Sequence, residues 1–265
     1  MFAQMRHMAI VTSNANNEGD FYQDVFGMRR STLQRAGGAV VVGDGYVGLN
    51  LNPRAPGRQA GFDHFGFEVQ DVEVVFARLK EKYPKIEVLR RPSNRPFAGI
   101  SMHDPAGNVF DLSQLNMENR RDLYTDKVEE RKRRIGHFGL RCVEPEQCAE
   151  FYRDVFELTE LEKPADDSNH YLSDGKVTLA VMPWKISDFY GSGIERPALD
   201  HIGFKVESFA AFKADLEKSS HLYVPEDRPE KNPEREVRQK LLATCCFGQY
   251  QMADPDGVLI DVSEN

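Results

Sequence analysis

The sequence predicts an α+β protein built from four strand–helix–strands units in tandem, paired into two halves. Three observations carry that expectation. The stretch Asp63-His64-Phe65-Gly66-Phe67-Glu68-Val69 is nearly repeated by Asp200-His201-Ile202-Gly203-Phe204-Lys205-Val206, and internal repetition outranks local pattern as evidence of architecture. Phe21 to Phe26 returns as Phe151 to Phe156, Asp44-Gly45 as Asp174-Gly175 and His7 as His137, each 130 positions further on. Within each half the order of strand, helix and strands is legible twice from apolar periodicity.

The first unit opens on a strand at Arg6 to Val11, followed by turn and cap residues Asn14 to Asn17. Phe21, Tyr22, Val25 and Phe26 then form one stripe of a helix that Gly27 stops. Runs at 38–42 and 46–51 flank Gly43-Asp44-Gly45, which signals a hairpin. The second unit repeats the order: a strand at Phe65 to Val69, a helix at Val72 to Tyr83 ended by Pro84, and strands at 87–90, 99–103 and 108–113. Asp104-Pro105-Ala106-Gly107 makes its last turn, answered 150 positions on by Asp254-Pro255-Asp256-Gly257. The widening from 130 to 150 predicts an enlarged surface loop at Tyr223 to Leu241. The expected division is residues 1–115, a charged linker at 116–134, and residues 135–265. In that linker the cluster Arg131-Lys132-Arg133-Arg134 is read as solvated, because acidic residues surround it.

Composition narrows the function classes. A net charge of −8 and a pI near 5.5 repel a phosphate backbone and demote nucleic acid as a partner. No apolar run reaches signal-peptide or membrane-span length, so a cytoplasmic protein without a membrane partner is expected. None of Cys142, Cys148, Cys245 and Cys246 makes a C-x-x-C pair, which suits a reducing compartment. Adjacent Cys245 and Cys246 are read first as small strand residues and second as a redox or soft-metal pair.

Strand phase places the polar residues together. Phe65, Phe67 and Val69, like Ile202, Phe204 and Val206, share one face and leave the histidine and glycine on the other. His7 and His137 likewise oppose Met8 with Ile10 and Phe138 with Leu140, while Asp111 and Asp261 oppose Phe110 with Leu112 and Ile260 with Val262. Two histidines and one carboxylate per half leave coordination positions open, which suits a metal that acts on a substrate better than one that staples a fold. A hydrogen-bonded cluster lining a metal-free pocket is the alternative for either half.

Strand-borne histidines opening each of four such units resemble the vicinal oxygen chelate superfamily, which includes glyoxalase I, the extradiol dioxygenases and the bleomycin-resistance proteins. The resemblance implies βαβββ modules, two of which curl their sheets into one cup with a divalent metal on the concave face. It implies ligands His7, His64 and Asp111 in the first half and His137, His201 and Asp261 in the second. Both carboxylates are aspartate where the superfamily usually has glutamate. At the fourth ligand position of glyoxalase-type sites stand Asn50 and Ala180, so the second half resembles a three-ligand extradiol site. Gln251 and Ser101 stand where extradiol enzymes carry a proton-handling tyrosine. Trp184, Phe189 and Tyr190 are expected either to cover the cup and stack on a substrate or to anchor a loop. Arg54 and Arg58 hold the corresponding place in the first half, where they either grip a carboxylate or are solvated, and His103 is read first as a surface turn residue and second as a proton carrier near the first site.

The expected function is therefore a metal-dependent, dioxygenase-like oxidoreductase acting on a small oxygen-rich substrate, with Fe(II) favoured over Mn(II), Zn(II) or Ni(II). A glyoxalase-like lyase or isomerase and a ligand-sequestering protein of the bleomycin-resistance type are the alternatives. The partner expected is that small-molecule substrate, with a homodimer left open beside the monomer.

Overall fold

A computed structural model describes residues 1–33, 36–93, 95–115, 117, 122–125, 132–192, 194–222 and 247–265. The first half supplies β1 (Ala3–Thr12), β2 (Arg29–Arg30), β3 (Val40–Gly43) and β4 (Gly48–Pro53), then β5 (Gly61–Val69), β6 (Val88–Arg90), β7 (Ile100–His103) and β8 (Val109–Gln114). The second half supplies β9 (Arg134–Cys142), β10 (Thr159–Glu160), β11 (His170–Ser173) and β12 (Thr178–Pro183), then β13 (Leu199–Val206), β14 (Tyr250–Ala253) and β15 (Leu259–Glu264). Each half is one continuous sheet, ordered β2-β3-β4-β1-β5-β8-β7-β6 and β10-β11-β12-β9-β13-β15-β14. At the centre of each sheet the opening strands of its two units lie antiparallel, β1 with β5 and β9 with β13. The closing strand of every unit runs parallel to its opening strand, so each unit needs a crossover, and a helix supplies part of it.

The helices are α1 (Ala15–Phe26), α2 (Val72–Lys82), α3 (Pro145–Phe156), α4 (Ile186–Ser192) and α5 (Phe209–Lys218). Local chemistry sets their ends. Asn14 and Ser208 accept from the backbone N–H three residues on, and Asp71 accepts from Glu73 N–H. Gly27 stops α1 at φ 64°, a left-handed conformation that favours glycine. No helix among the described residues is long and apolar enough to cross a membrane.

The backs of both sheets and the helices close on one shared core. Phe26 of the first half stacks on Phe204 of the second at 3.8 Å, Phe156 stacks on Phe67 at 4.2 Å, and Phe65 meets Phe138 at 4.9 Å. Burying each such ring is worth about 1.5–3 kcal/mol relative to leaving it exposed. The repeated turn aspartates fasten the halves reciprocally. Asp254 accepts from Tyr22 at 2.9 Å and Asp104 from Tyr152 at 3.0 Å. Asp44 accepts from the Ile135 N–H at 2.8 Å and Asp174 from the Met5 N–H at 2.6 Å. Each half therefore owns its sheet and histidine face, while neither owns its core.

One sequence expectation is overturned here. Arg133 is buried instead of solvated: it pairs with Glu207 and Asp215 and donates to the Val25 carbonyl, so it locks this end of the linker onto both halves. Of the linker, only Met117, Asp122 to Thr125 and Lys132 to Arg134 are among the described residues. The enlarged loop at Tyr223 to Leu241 and the Cys245-Cys246 pair lie outside them. Cys142 and Cys148 are free thiols, both buried.

Candidate metal centre

Each sheet brings its predicted donors to one point on the face turned away from the core. In the second half the Nε2 atoms of His137 and His201 are 3.1 Å apart, and Asp261 Oδ2 lies 3.3 Å from His137 Nε2. In the first half the Nε2 atoms of His7 and His64 are 3.2 Å apart, with Asp111 Oδ2 3.1 Å from His64 Nε2. The ligand atoms of each trio all lie within 4.8 Å of one another.

The repeated heptad explains how the strands achieve this. Gly203 lies in register opposite His137, and a Cβ on it would sit 1.9 Å from the imidazole, so the glycine is the space in which the ring lies. Gly139 makes the same room for His201, whose Cε1 would be 2.4 Å from an added Cβ. The pairing slips between Leu199 and His201, and again at Asp63 opposite the Ala9/Ile10 step. Such a bulge turns two successive side chains to one side. The aspartate before each second histidine consequently reaches that histidine's ring.

Asp200 Oδ2 holds His201 Nδ1 at 2.9 Å, and Asp63 Oδ2 holds His64 Nδ1 at 2.9 Å. An ionised carboxylate only accepts, so Nδ1 carries the hydrogen and Nε2 of a neutral ring points its lone pair into the trio. The carboxylate of each trio is also held from outside: Gln251 donates to Asp261 Oδ1 at 3.0 Å, and Ser101 donates to Asp111 Oδ1. Two imidazole lone pairs and a carboxylate oxygen converging this closely fit a divalent cation. Phe247 lies over His137 and Phe97 over His7, both at 4.7 Å between ring centroids.

The two trios differ in their contact with water and protons. His137, His201 and Asp261 are 0–1 % exposed, whereas His64 is 20 % exposed. In the first trio burial opposes a charged His64, but hydrogen bonds to Asp111 and Asp63 outweigh it and push the imidazole up to about 9. Burial likewise works against the Asp63 carboxylate, yet His64 and Arg58 hold it below its ordinary value.

The family model of the glyoxalase/bleomycin resistance protein/dioxygenase superfamily matches residues 4–112. That match lies within the first half of the chain. Solved structures of similar fold match across the whole length. Homoprotocatechuate 2,3-dioxygenase from Arthrobacter globiformis matches with a TM-score of 0.65 and 17 % identity over 100 % of this chain and 80 % of that one. The Mn(II)-bound glyoxalase from Novosphingobium aromaticivorans matches at 0.61 and 17 %, over 99 % and 82 %. A xylose isomerase-like TIM barrel/4-hydroxyphenylpyruvate dioxygenase fusion protein matches at 0.61 and 11 %, over 100 % of this chain and 49 % of its own. No curated protein sequence matches. At these identities the solved structures establish the fold.

The other residues singled out in the sequence take up varied positions. Asn50 is level with His64 across Ala9, and its Oδ1 is buried without a hydrogen-bond partner among the described residues. Ala180 faces Gly139 at the corresponding point of the second sheet. Gln251 is engaged by Asp261, as described above. Trp184 is half-buried and donates to the Ile194 carbonyl at 2.8 Å, the anchoring role. Phe189 and Tyr190, on α4, are 50 % and 90 % exposed. Arg58 pairs with Asp63, so the carboxylate it grips is the protein's own. His103 accepts from the Glu87 N–H and contacts the Asp104 carbonyl.

Sequence reasoning missed Asp63 and Asp200, although both open the repeated heptad, and Phe97 and Phe247, although they share the 150-residue offset of the two Asp-Pro turns. A cleft of about 340 Å³ between the halves, bounded by residues 59–62, 194–200 and 256–259, includes Asp200 and Leu259 in its wall.

Proposed function

We propose that the protein is a metal-dependent enzyme whose working centre is His137, His201 and Asp261, acting as an oxygen-using dioxygenase on a small substrate with two vicinal oxygens. The observation that carries this reading is the sealed second trio: two histidines and one carboxylate, no fourth protein donor at Ala180, and an independent hydrogen-bonded support behind His201 and Asp261. A divalent ion held there supplies Lewis acidity to paired substrate oxygens and, as Fe(II), the redox capacity that O₂ chemistry needs. The chain's own residues do the positioning. Asp200 keeps the His201 hydrogen on Nδ1, Gln251 fixes Asp261, and Phe247 covers His137 against water. Gln251 has no transferable proton, so proton movement in this enzyme does not use the position where extradiol enzymes carry tyrosine.

A glyoxalase-like lyase is the second reading, favoured at the first centre by Asn50, whose buried Oδ1 has no partner among the described residues and would offer a neutral fourth oxygen donor beside His7, His64 and Asp111. Protein purified without chelator or added metal, then reconstituted anaerobically with Fe(II), separates the two readings in an O₂-uptake screen of vicinal diols and catechols. Substrate-dependent O₂ uptake lost in His201→Ala is the expected result. Isomerase or lyase turnover with Ni(II) or Zn(II), without uptake, would transfer the reading to the lyase.

A further inference from the structure

The second cup contains a buried cation that the proposed reaction does not yet use. Arg141 lies on β9, two residues beyond Gly139 and four beyond His137, so all three share the concave face. The His201 ring fills the space over Gly139, between His137 and Arg141 along the strand. The arginine is 4 % exposed. Its Nε donates to Asp200 Oδ1 at 3.0 Å and its Nη1 reaches the Pro183 carbonyl at 3.4 Å. Its Nη2 is buried and has no hydrogen-bond partner among the described residues. One carboxylate therefore joins Arg141 to the metal-facing histidine, since the other oxygen of Asp200 holds His201.

A guanidinium is always charged, and a buried N–H donor left without an acceptor is costly. Asp200 holds the planar group through Nε and leaves the buried Nη2 hydrogens on the same face of the sheet as the trio without an acceptor among the described residues, and an oxyanion would complete them. Charge balance favours the same ligand. A divalent ion, Asp261, Asp200 and Arg141 together leave one positive charge in a sealed site, which one carboxylate neutralises. In the first half Val11 stands at the position of Arg141, and the arginine that supports Asp63 is Arg58, whose side chain is 55 % exposed.

We propose that Arg141 is the substrate-anchoring residue of the second centre and that the substrate is a carboxylate whose acid group binds Nη2 while its paired oxygens face His137, His201 and Asp261. The proposal rests on the metal reading above, and the test separates the two. Full-length protein is loaded with redox-inert Zn(II), its metal content is measured, and binding of two carboxylates of different reach, glycerate and 3,4-dihydroxybenzoate, is compared by calorimetry with that of their neutral amides. At least one carboxylate should bind roughly ten- to a hundredfold more tightly than its amide, the range expected of one charge-assisted hydrogen bond. Arg141→Gln, compared at the zinc content measured for the variant, should erase that preference by weakening acid binding to the level of the amide. Arg141→Lys keeps the charge beside Asp200 without the fork, serves if the glutamine variant does not fold, and should lose part of the preference.

Equal binding of acid and amide by zinc-loaded wild type, a preference that survives in folded Arg141→Gln, or one that stays undiminished in Arg141→Lys, would overturn the anchor and leave the metal centre standing. If the second centre takes up no zinc, the same titrations on metal-free protein decide the matter. A preference that depends on Arg141 would keep the anchor and remove the metal reading, and no preference would remove both.

Discussion

The two centres present the same donor types on equivalent strands, yet the first meets water and holds a proton where the second is sealed. His64 is part-exposed and sits between two aspartates that raise its affinity for a proton, with an exposed arginine behind one of them. His201 is fully buried, and the arginine behind its aspartate is buried with it. The difference shows that duplication copied the ligands but not their surroundings, and surroundings decide what a histidine–carboxylate trio can do.

The largest expected effect tests whether the two centres are separable. Wild-type protein should bind two divalent ions per chain, because each half offers a full trio. His201→Ala should lower affinity at the second centre by roughly a thousandfold or more, since two ligands retain little of the chelation, while the first centre still fills. Equilibrium dialysis with elemental analysis gives the count. A single ion per chain that His7→Ala does not disturb would show the first trio to be without metal, and the comparison would become one of a working site and a relic.

Both trios were legible in the sequence because strand phase is strict: a side chain two residues along a strand returns to the same face, so Phe110 and Leu112 in the core put Asp111 in the cup. The fold was legible because the repeats doubled every local signal. What surrounds the trios was not, for three physical reasons. The bulges at Asp63 and Asp200 break strict alternation, so residues that alternation alone would turn away from the histidines hold them instead. Arg141 is one arginine among many in the chain, and only the burial of its Nη2 distinguishes it. The shared core depends on helices packing across halves, as Phe26 does on Phe204, and a periodicity within one helix cannot say which sheet it will meet.

A smaller effect measures the supports. Asp200→Asn should weaken metal binding at the second centre by about tenfold to a hundredfold, the usual cost of losing a carboxylate behind a ligating histidine. Asp63→Asn should cost the first centre less, because water can replace part of a support that is itself part-exposed. Parallel titrations of the two variants with Zn(II) compare the costs directly, and equal losses would show that burial does not set the value of the support.

Protons give a finer contrast. His64 is raised to about 9, so below that pH a metal entering the first centre must displace its proton. Affinity there should rise by roughly tenfold per pH unit from about pH 7 to about pH 9 and then level off. Zinc titrations of His201→Ala, which isolate the first centre, read this slope. A flat profile across that range would mean that Asp63 and Asp111 do not hold the proton on His64.

The smallest effect lies where the halves lock together, and there the same comparison reappears. Cys148 on α3 and Glu18 on α1 occupy equivalent positions, each beside the turn aspartate of the other half, Asp104 and Asp254. Glu18 is buried, and burial first, then the charge of Asp254, push its carboxyl up to about 11. Burial raises the Asp254 carboxyl as well, while its hydrogen bonds to Glu18 and Tyr22 oppose the rise. At neutral pH the folded protein therefore keeps a proton on Glu18 that the unfolded chain, near the ordinary 4.5, has released. Stability falls with rising pH wherever the folded state binds more protons than the unfolded one, so this interlock weakens from about pH 4.5 up to about pH 11. Glu18→Gln keeps a donor for Asp254 and removes the titration. Its Tm should exceed that of wild type at pH 8 and approach it near pH 5. A thermal melt series between those two values is sufficient, and a Tm difference that does not change with pH would show that no proton is held between the halves.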